Sequence, residues 1–162
     1  QSGIFWRIIQ CCTYYLNPAH NIIEAIAEGV VSGPLEEILD TKINRLAVFR
    51  PDLSNQEIMG VIQTIHSYLG NQYDFSFDFN DAESQVCTEV IYRGYNEIGN
   101  IQFGLSKRAG TLNLSAEDVC RYAINSGNME LVTLVVEDEY RKGKTRFFSP
   151  ENGVGIILAL MN

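Results

Sequence analysis

Apolar positions recur along this chain with two periods, and the helical one is the easier to follow. Ile58, Val61, Ile62, Ile65 and Leu69 fall on one face at helical spacing. Ser54 with Glu57 three residues on makes a capping box and predicts the start of this helix. Gly70 and Asn71 stop it. His66 lies on the edge of the apolar stripe, a position that suits a structural histidine. A second helix is predicted beyond Ser84, read as its N-cap, with Cys87 near the third helical position. Cys87, Val90, Ile91, Gly94 and Ile98 share one of its faces, and Gly99 and Asn100 end it. Ser115 and Asp118 mark another helix start, with Val119, Tyr122 and Ala123 turned inward. Pro34 opens a short helix in "GPLEEILD" (33–40).

The two-residue period marks the strands. "INRLAVFRP" (43–51) alternates well enough for a strand, and Pro51 ends it. "HNIIEAIAEGVV" (20–31) holds a strand-like apolar core and then Gly29. "MELVTLVVEDEY" and "TRFFS" predict a β-hairpin across "RKGK", and a Gly-rich loop precedes Ser115. "FWRIIQCCTYY" (5–15) suits a strand or a short helix, as does the apolar tail "VGIILALM" (154–161). Strands, then helices, then strands again predict an α+β chain rather than a doubly wound sheet.

Composition narrows the class. The chain has 162 residues, 46% of them hydrophobic and 20% charged, enough for one globular domain over 1–162 with a proper core. It has no internal repeat, low-complexity tract or linker. A net charge of −8 makes nucleic acid and anionic lipid poor partners. The basic cluster Arg141, Lys142, Lys144 and Arg146 is read as the solvated tip of the hairpin. The apolar tail is too short to span a bilayer, so no integral membrane segment is expected. The chain opens on Gln1 without a visible targeting segment.

The four cysteines are Cys11, Cys12, Cys87 and Cys120. Neighbouring Cys11 and Cys12 would close a strained ring, no CxxC pair exists, and the two histidines, His20 and His66, are far apart. Free thiols are expected, with no structural zinc, no other metal and no cofactor. Free thiols favour a cytoplasmic setting.

Cys87 is the thiol with a chemical setting. The positive end of a helix stabilises a thiolate, and a nearby imidazole does so more strongly. Backbone N–H groups at the same end can hold the oxyanion formed when a carbonyl is attacked. A small buried hydrophobe on the packing face is the alternative. Asp78, Asp81 and Glu83 argue for that alternative, because nearby carboxylates raise a thiol's pKa.

The surroundings of Cys87 carry a family resemblance. Tyr73-Asp74-Phe75 and Phe77, then Cys87-Thr88-Glu89-Val90 and Tyr92, resemble the nucleophile segment of the circularly permuted papain-like amidases. These are the YiiX-type relatives of the NlpC cell-wall peptidases, kin to the lecithin:retinol acyltransferases. Their pattern is Tyr-Asp-Phe, then Cys-Ser-Glu-Leu/Val at the head of a helix, then Tyr; Thr88 is the one departure. "IIEAIAEGVVSGPLEEIL" followed by "LAVFRP" is similar to the family's strand, Gly-Val turn, short helix and Arg-Pro-terminated strand. The resemblance covers roughly residues 1–135. It implies an antiparallel sheet packed against helices, with a nucleophilic Cys at a helix N-terminus.

It also implies a papain-like reaction on the amide or ester bond of a peptide or acylated small molecule. Cys87 carries over as nucleophile, Glu24 as the acid that orients the base, and Tyr73 as a tyrosine beside the nucleophile. The family's histidine stands on a His-x-x-x-Tyr strand about a dozen residues before that Glu, where this chain has Cys11 or Cys12. His20, four residues before Glu24, is the substitute candidate. Two alternatives stay open: a family member that lost its base and serves as a binding domain, and a thiol acyltransferase acting on lipids.

Overall fold

The computed structural model describes residues 10–11, 22–40, 45–77, 79, 83–108, 110–137 and 145–161. In chain order these hold strand β1 (Gln10–Cys11), β2 (Ile22–Ile26), β3 (Gly29–Gly33), helix α1 (Leu35–Asp40), β4 (Arg45–Pro51) and α2 (Asn55–His66). Next come β5 (Gln72–Tyr73), β6 (Ser84–Gln85), α3 (Cys87–Tyr95), β7 (Ser106–Arg108) and β8 (Thr111–Asn113). Last are α4 (Ala116–Asn125), β9 (Met129–Glu137), β10 (Thr145–Phe148) and α5 (Pro150–Leu160). The mixture is α+β, as the order of periods predicts.

The described residues gather into two compact units, one from 8–40 and 53–115, the other from 41–52 and 116–162. In the first, β1, β2 and β3 form an antiparallel sheet in that order. The stretch read as one strand core before Gly29 is thus a hairpin, with Ile26 opposite Gly29. Gly29 takes φ +114°, and a Cβ there would sit 2.5 Å from the Asn71 carbonyl oxygen. The close approach lets the Val30 N–H donate to that oxygen at 2.9 Å and the Gly70 N–H donate to the Val30 carbonyl at 2.9 Å. β3 is thereby fastened to the chain entering β5.

α2 begins where its capping box predicts. The Ser54 N–H donates to Glu57 Oε2 at 2.8 Å and the Glu57 N–H to Ser54 Oγ at 3.3 Å. Its apolar face behaves as the spacing requires: Val61, Ile62 and Ile65 are buried with Ile23, Ala25, Val30 and Val90 in one cluster. α3 lies against α2 and β2. Gly94 permits the helix–helix approach, since a Cβ on it would fall 2.6 Å from Ile65 Cδ1. β5 and β6 make a two-residue parallel pair, and β7 and β8 a small exposed hairpin inside the stretch read as loop.

In the second unit β9 is central, antiparallel to β10 on one side and β4 on the other. This is the hairpin expected across "RKGK", whose tip lies outside the described residues. α4 and α5 pack on β9 around Cys120, Leu131, Leu134 and Ile157. The apolar tail is therefore a helix, opened by Pro150 in its first turn. Among the described residues no helix is long and apolar enough to cross a membrane.

Candidate active site

The sequence singles out Cys87, Glu24, Tyr73 and His20. Cys87, Glu24 and Tyr73 fall in the first unit; His20 lies outside the described residues. Cys87 is the first residue of α3, and the N-cap is Val86, in extended backbone at φ −96°, ψ 164°. Ser84 is not the cap. It is drawn into β6, where it pairs with Gln72 and leaves the helix to start two residues later. A valine offers no side-chain acceptor, so the helix start is closed from within. Glu89, two residues beyond Cys87, turns its carboxylate back, and Oε2 accepts the Val86 N–H at 2.8 Å.

The Cys87 thiol is half-buried and unbridged. Burial is the largest influence on it and pushes its pKa up. The backbone N–H groups of Thr88 and Cys87 pull it down, while the carboxylates of Glu24 and Glu89 push it up again. Glu83, which the sequence reading also weighed, is not among these influences, and Asp78 and Asp81 lie outside the described residues. Glu24 reaches the sulfur from β2, where it stands opposite Val31. Cys120, in the other unit, is buried, and burial first and Glu117 second hold its thiol far up, at about 12.

Tyr73 closes β5 and packs, like Cys87, against the cluster around Ile23 and Ile65. Phe75 and Phe77 meet its ring edge-on, with centroids 4.9 Å and 6.4 Å away. Burial, then the charges of Cys87 and Asp74, raise its phenol above the usual value. It therefore stays a hydrogen-bond donor across the neutral range.

The loop from Tyr73 onward is pinned by groups that hydrophobic periodicity does not reveal. Asp74 is buried, and its Oδ1 accepts the Ser76 N–H at 2.7 Å and the Ser76 hydroxyl at 2.5 Å. Its own N–H donates to the Gln85 carbonyl at 3.2 Å, tying the loop to the residues just before Cys87. Glu89 is completely enclosed, yet pairs with Arg93 one turn later at 3.4 Å. Arg93 also donates to the Phe79 carbonyl at 3.1 Å. Burial lifts the Glu89 carboxyl to about 7; the Val86 N–H and Arg93 oppose that shift and Asp74 adds to it. The signal for this group was a Glu–Arg pair four apart on a helix, a spacing that places the two side chains side by side. His66, at the end of α2, is half-buried with its Nε2 enclosed and without a hydrogen-bond partner, in keeping with a structural place.

The family model described as permuted papain-like amidase enzyme, YaeF/YiiX, C92 family, matches residues 5–144. The uncharacterized protein YiiX of Escherichia coli strain K12 is 33% identical over 67 residues, 41% of this chain. That match spans only 33% of the relative's length. The crystal structure of metalloprotein yiiX from Escherichia coli O157:H7 superposes with a TM-score of 0.51 at 21% identity. It covers 88% of this chain and 80% of that one, a likeness of fold.

Proposed function

Since this chain belongs to the permuted papain-like amidase family, we propose that it is a cysteine hydrolase of amide or ester bonds with Cys87 as its nucleophile. One observation carries this choice of residue: Cys87 opens α3, with the N–H groups of Cys87 and Thr88 lowering its thiol pKa against the pull of burial. The same donors suit the oxyanion that develops on the carbon bonded to the sulfur. Peptides and acylated small molecules are the substrate class.

The reaction runs in two halves. The thiol proton passes to an imidazole, for which His20 is the candidate, and the sulfur adds to the carbonyl carbon. The C–N or C–O bond then breaks, the leaving group takes the proton from the imidazolium, and a thioester remains on Cys87. Water, deprotonated by the imidazole, releases the acid and restores the thiol. Glu24 holds the imidazole in the tautomer that accepts the proton and stabilises the imidazolium. Tyr73 donates its phenolic hydrogen toward the oxyanion. Each thiolate formed at the site must overcome the negative charge of Glu24 and Glu89, which a nearby imidazolium would offset.

The solved neighbour is titled a metalloprotein. Among the described residues no group of three or more His, Cys, Asp or Glu side chains could hold a metal ion.

A second reading, a binding domain that has lost its chemistry, draws support from the raised thiol: among the described residues, Glu24 and Glu89 both push it up. A paired series against p-nitrophenyl acetate and an amino-acid p-nitroanilide separates the two. Hydrolysis abolished by Cys87→Ala supports the hydrolase, and abolition by His20→Ala as well assigns the base. Retention in Cys87→Ala removes Cys87 as nucleophile.

A further inference from the structure

We propose that Glu89 and Arg93 are positioning residues of the site: the Glu89 carboxylate fixes the turn that presents the Cys87 sulfur, and Arg93 fastens the 73–79 loop to the same helix. This deepens the hydrolase reading and rests on it for its functional consequence.

Three observations converge on the pair. The turn before Cys87 has no side-chain cap of its own, because its N-cap is a valine, and Glu89 supplies the other half of a capping box by accepting the Val86 N–H at 2.8 Å. The loop that carries Tyr73 cannot hold itself by burial. Phe75 is 73% exposed and Phe77 is 48% exposed, and Phe77 adopts φ +57°, a conformation that side-chain-bearing residues resist. Arg93 compensates by gripping the Phe79 carbonyl, while the neighbouring Tyr92 ring stacks edge-on against Phe79 at 5.7 Å. Arg93 touches Glu89 as well, so one buried ion pair links the nucleophile's turn and the aromatic loop.

The pair is held at a cost to folding. A carboxyl enclosed this fully resists ionisation, and burial moves its titration to about 7. Buried ionic groups kept against that penalty concentrate where geometry matters. The charged groups acting on Glu89 are Arg93 from its own helix, which favours the anion, and Asp74 from the loop after β5, which opposes it. Glu89 in turn raises the Cys87 thiol, as Glu24 does from β2. Because the enclosed carboxyl binds its proton more tightly than an exposed one, falling pH favours the closed turn over one that exposes Glu89.

A loss of positioning and a loss of charge move the thiol in opposite ways, and this separates the proposal from a merely structural role. In Glu89→Gln the thiol loses a neighbouring anion, so iodoacetamide should alkylate Cys87 a few-fold faster than in wild type at pH 7.5. Ester turnover should fall about tenfold. A joint fall or a joint rise of the two rates overturns the proposal.

Amide exchange resolved at Val86 by NMR provides a readout that needs no turnover. Its protection should drop about tenfold in the double variant Glu89→Leu, Arg93→Met, which replaces the ion pair with apolar groups of similar size. The Phe79–Tyr92 ring contact should weaken with it, while the α2 amides stay protected. In wild type the Val86 protection factor should rise between pH 8 and pH 6. Unchanged Val86 protection in the double variant refutes the positioning pair whether or not the protein proves to be a hydrolase. Absence of Cys87-dependent turnover alongside the expected exchange refutes only the hydrolase reading.

Discussion

Replacing Glu89 by Gln should change how the stability of this protein depends on pH, in a direction fixed by the sign of the shift. The carboxyl titrates at about 7 in the folded chain against an ordinary value of 4.5. Below pH 4.5 it is protonated in both states and contributes no difference. Between 4.5 and 7 the unfolded chain ionises first, so folding must retain a proton that the unfolded chain has released, and stability falls as pH rises. Above 7 the penalty is complete and constant. A shift of this size corresponds to about 3 kcal/mol at 1.36 kcal/mol per unit, and penetration of solvent around the pair reduces it to about 2 kcal/mol. Urea unfolding followed by circular dichroism at pH 4, 5, 6, 7 and 8 measures it. The stability of wild type minus that of Glu89→Gln should decline by about 2 kcal/mol across this range, most steeply between pH 5 and 7. A difference that stays flat would show that Glu89 is ionised in the folded protein as readily as in water, and one that grows with pH that it is ionised more readily.

Other perturbations probe the same unit and its neighbour. In a His20→Ala background, where the candidate base is gone, Glu24→Gln removes a charge that raises the Cys87 thiol, so alkylation of Cys87 at pH 7.5 should accelerate; slower alkylation would contradict the assigned electrostatics. Gly94→Ala gains about 1 kcal/mol of helix propensity but drives a methyl to within 2.6 Å of the fully buried Ile65, so urea unfolding should show a net loss of about 1 to 2 kcal/mol. Gly29→Ala, at φ +114° and against a backbone oxygen, should cost about 2 kcal/mol or more, and a neutral result would mean that β3 does not approach Asn71 as described. Cys120, held up at about 12, should resist iodoacetamide at pH 9 until urea unfolds the chain; ready alkylation of the folded protein would refute its burial.

What could be read from the sequence was whatever depended on neighbours along the chain. Ser54 and Glu57 stand three apart, so α2 announces its own start, and its stripe of isoleucines and valines marks the buried face. Cys87 at the mouth of a helix was legible for the same reason, though one turn-defining detail was not. Ser84 is the better N-cap by residue type, but pairing with β5 takes it away, and long-range strand pairing leaves no local trace. β7 and β8 were missed because their residues are largely exposed and show no apolar alternation to follow. The division of "HNIIEAIAEGVV" into a hairpin turned on Gly29, whose backbone conformation is set by contact with Asn71, far along the chain. At the site, Glu24, Tyr73 and Cys87 were named from the family segment, and the structure couples both Glu24 and Tyr73 electrostatically to Cys87. Glu89 was named only as part of the matched motif, although its spacing from Arg93 also marks it. Its burial, and the back-turned bond to Val86, depend on a valine N-cap that residue preference disfavours.

The central claim is that Cys87 carries a covalent acyl intermediate. Rapid acid quench of the wild-type protein with p-nitrophenyl acetate, followed by peptide mapping in a mass spectrometer, tests it directly. The expected result is a single acetyl group on the peptide containing Cys87, formed before the steady state and discharged as free acetate once ester is exhausted. Acetylation confined to another residue, or ester hydrolysis that continues undiminished in Cys87→Ala, would contradict it.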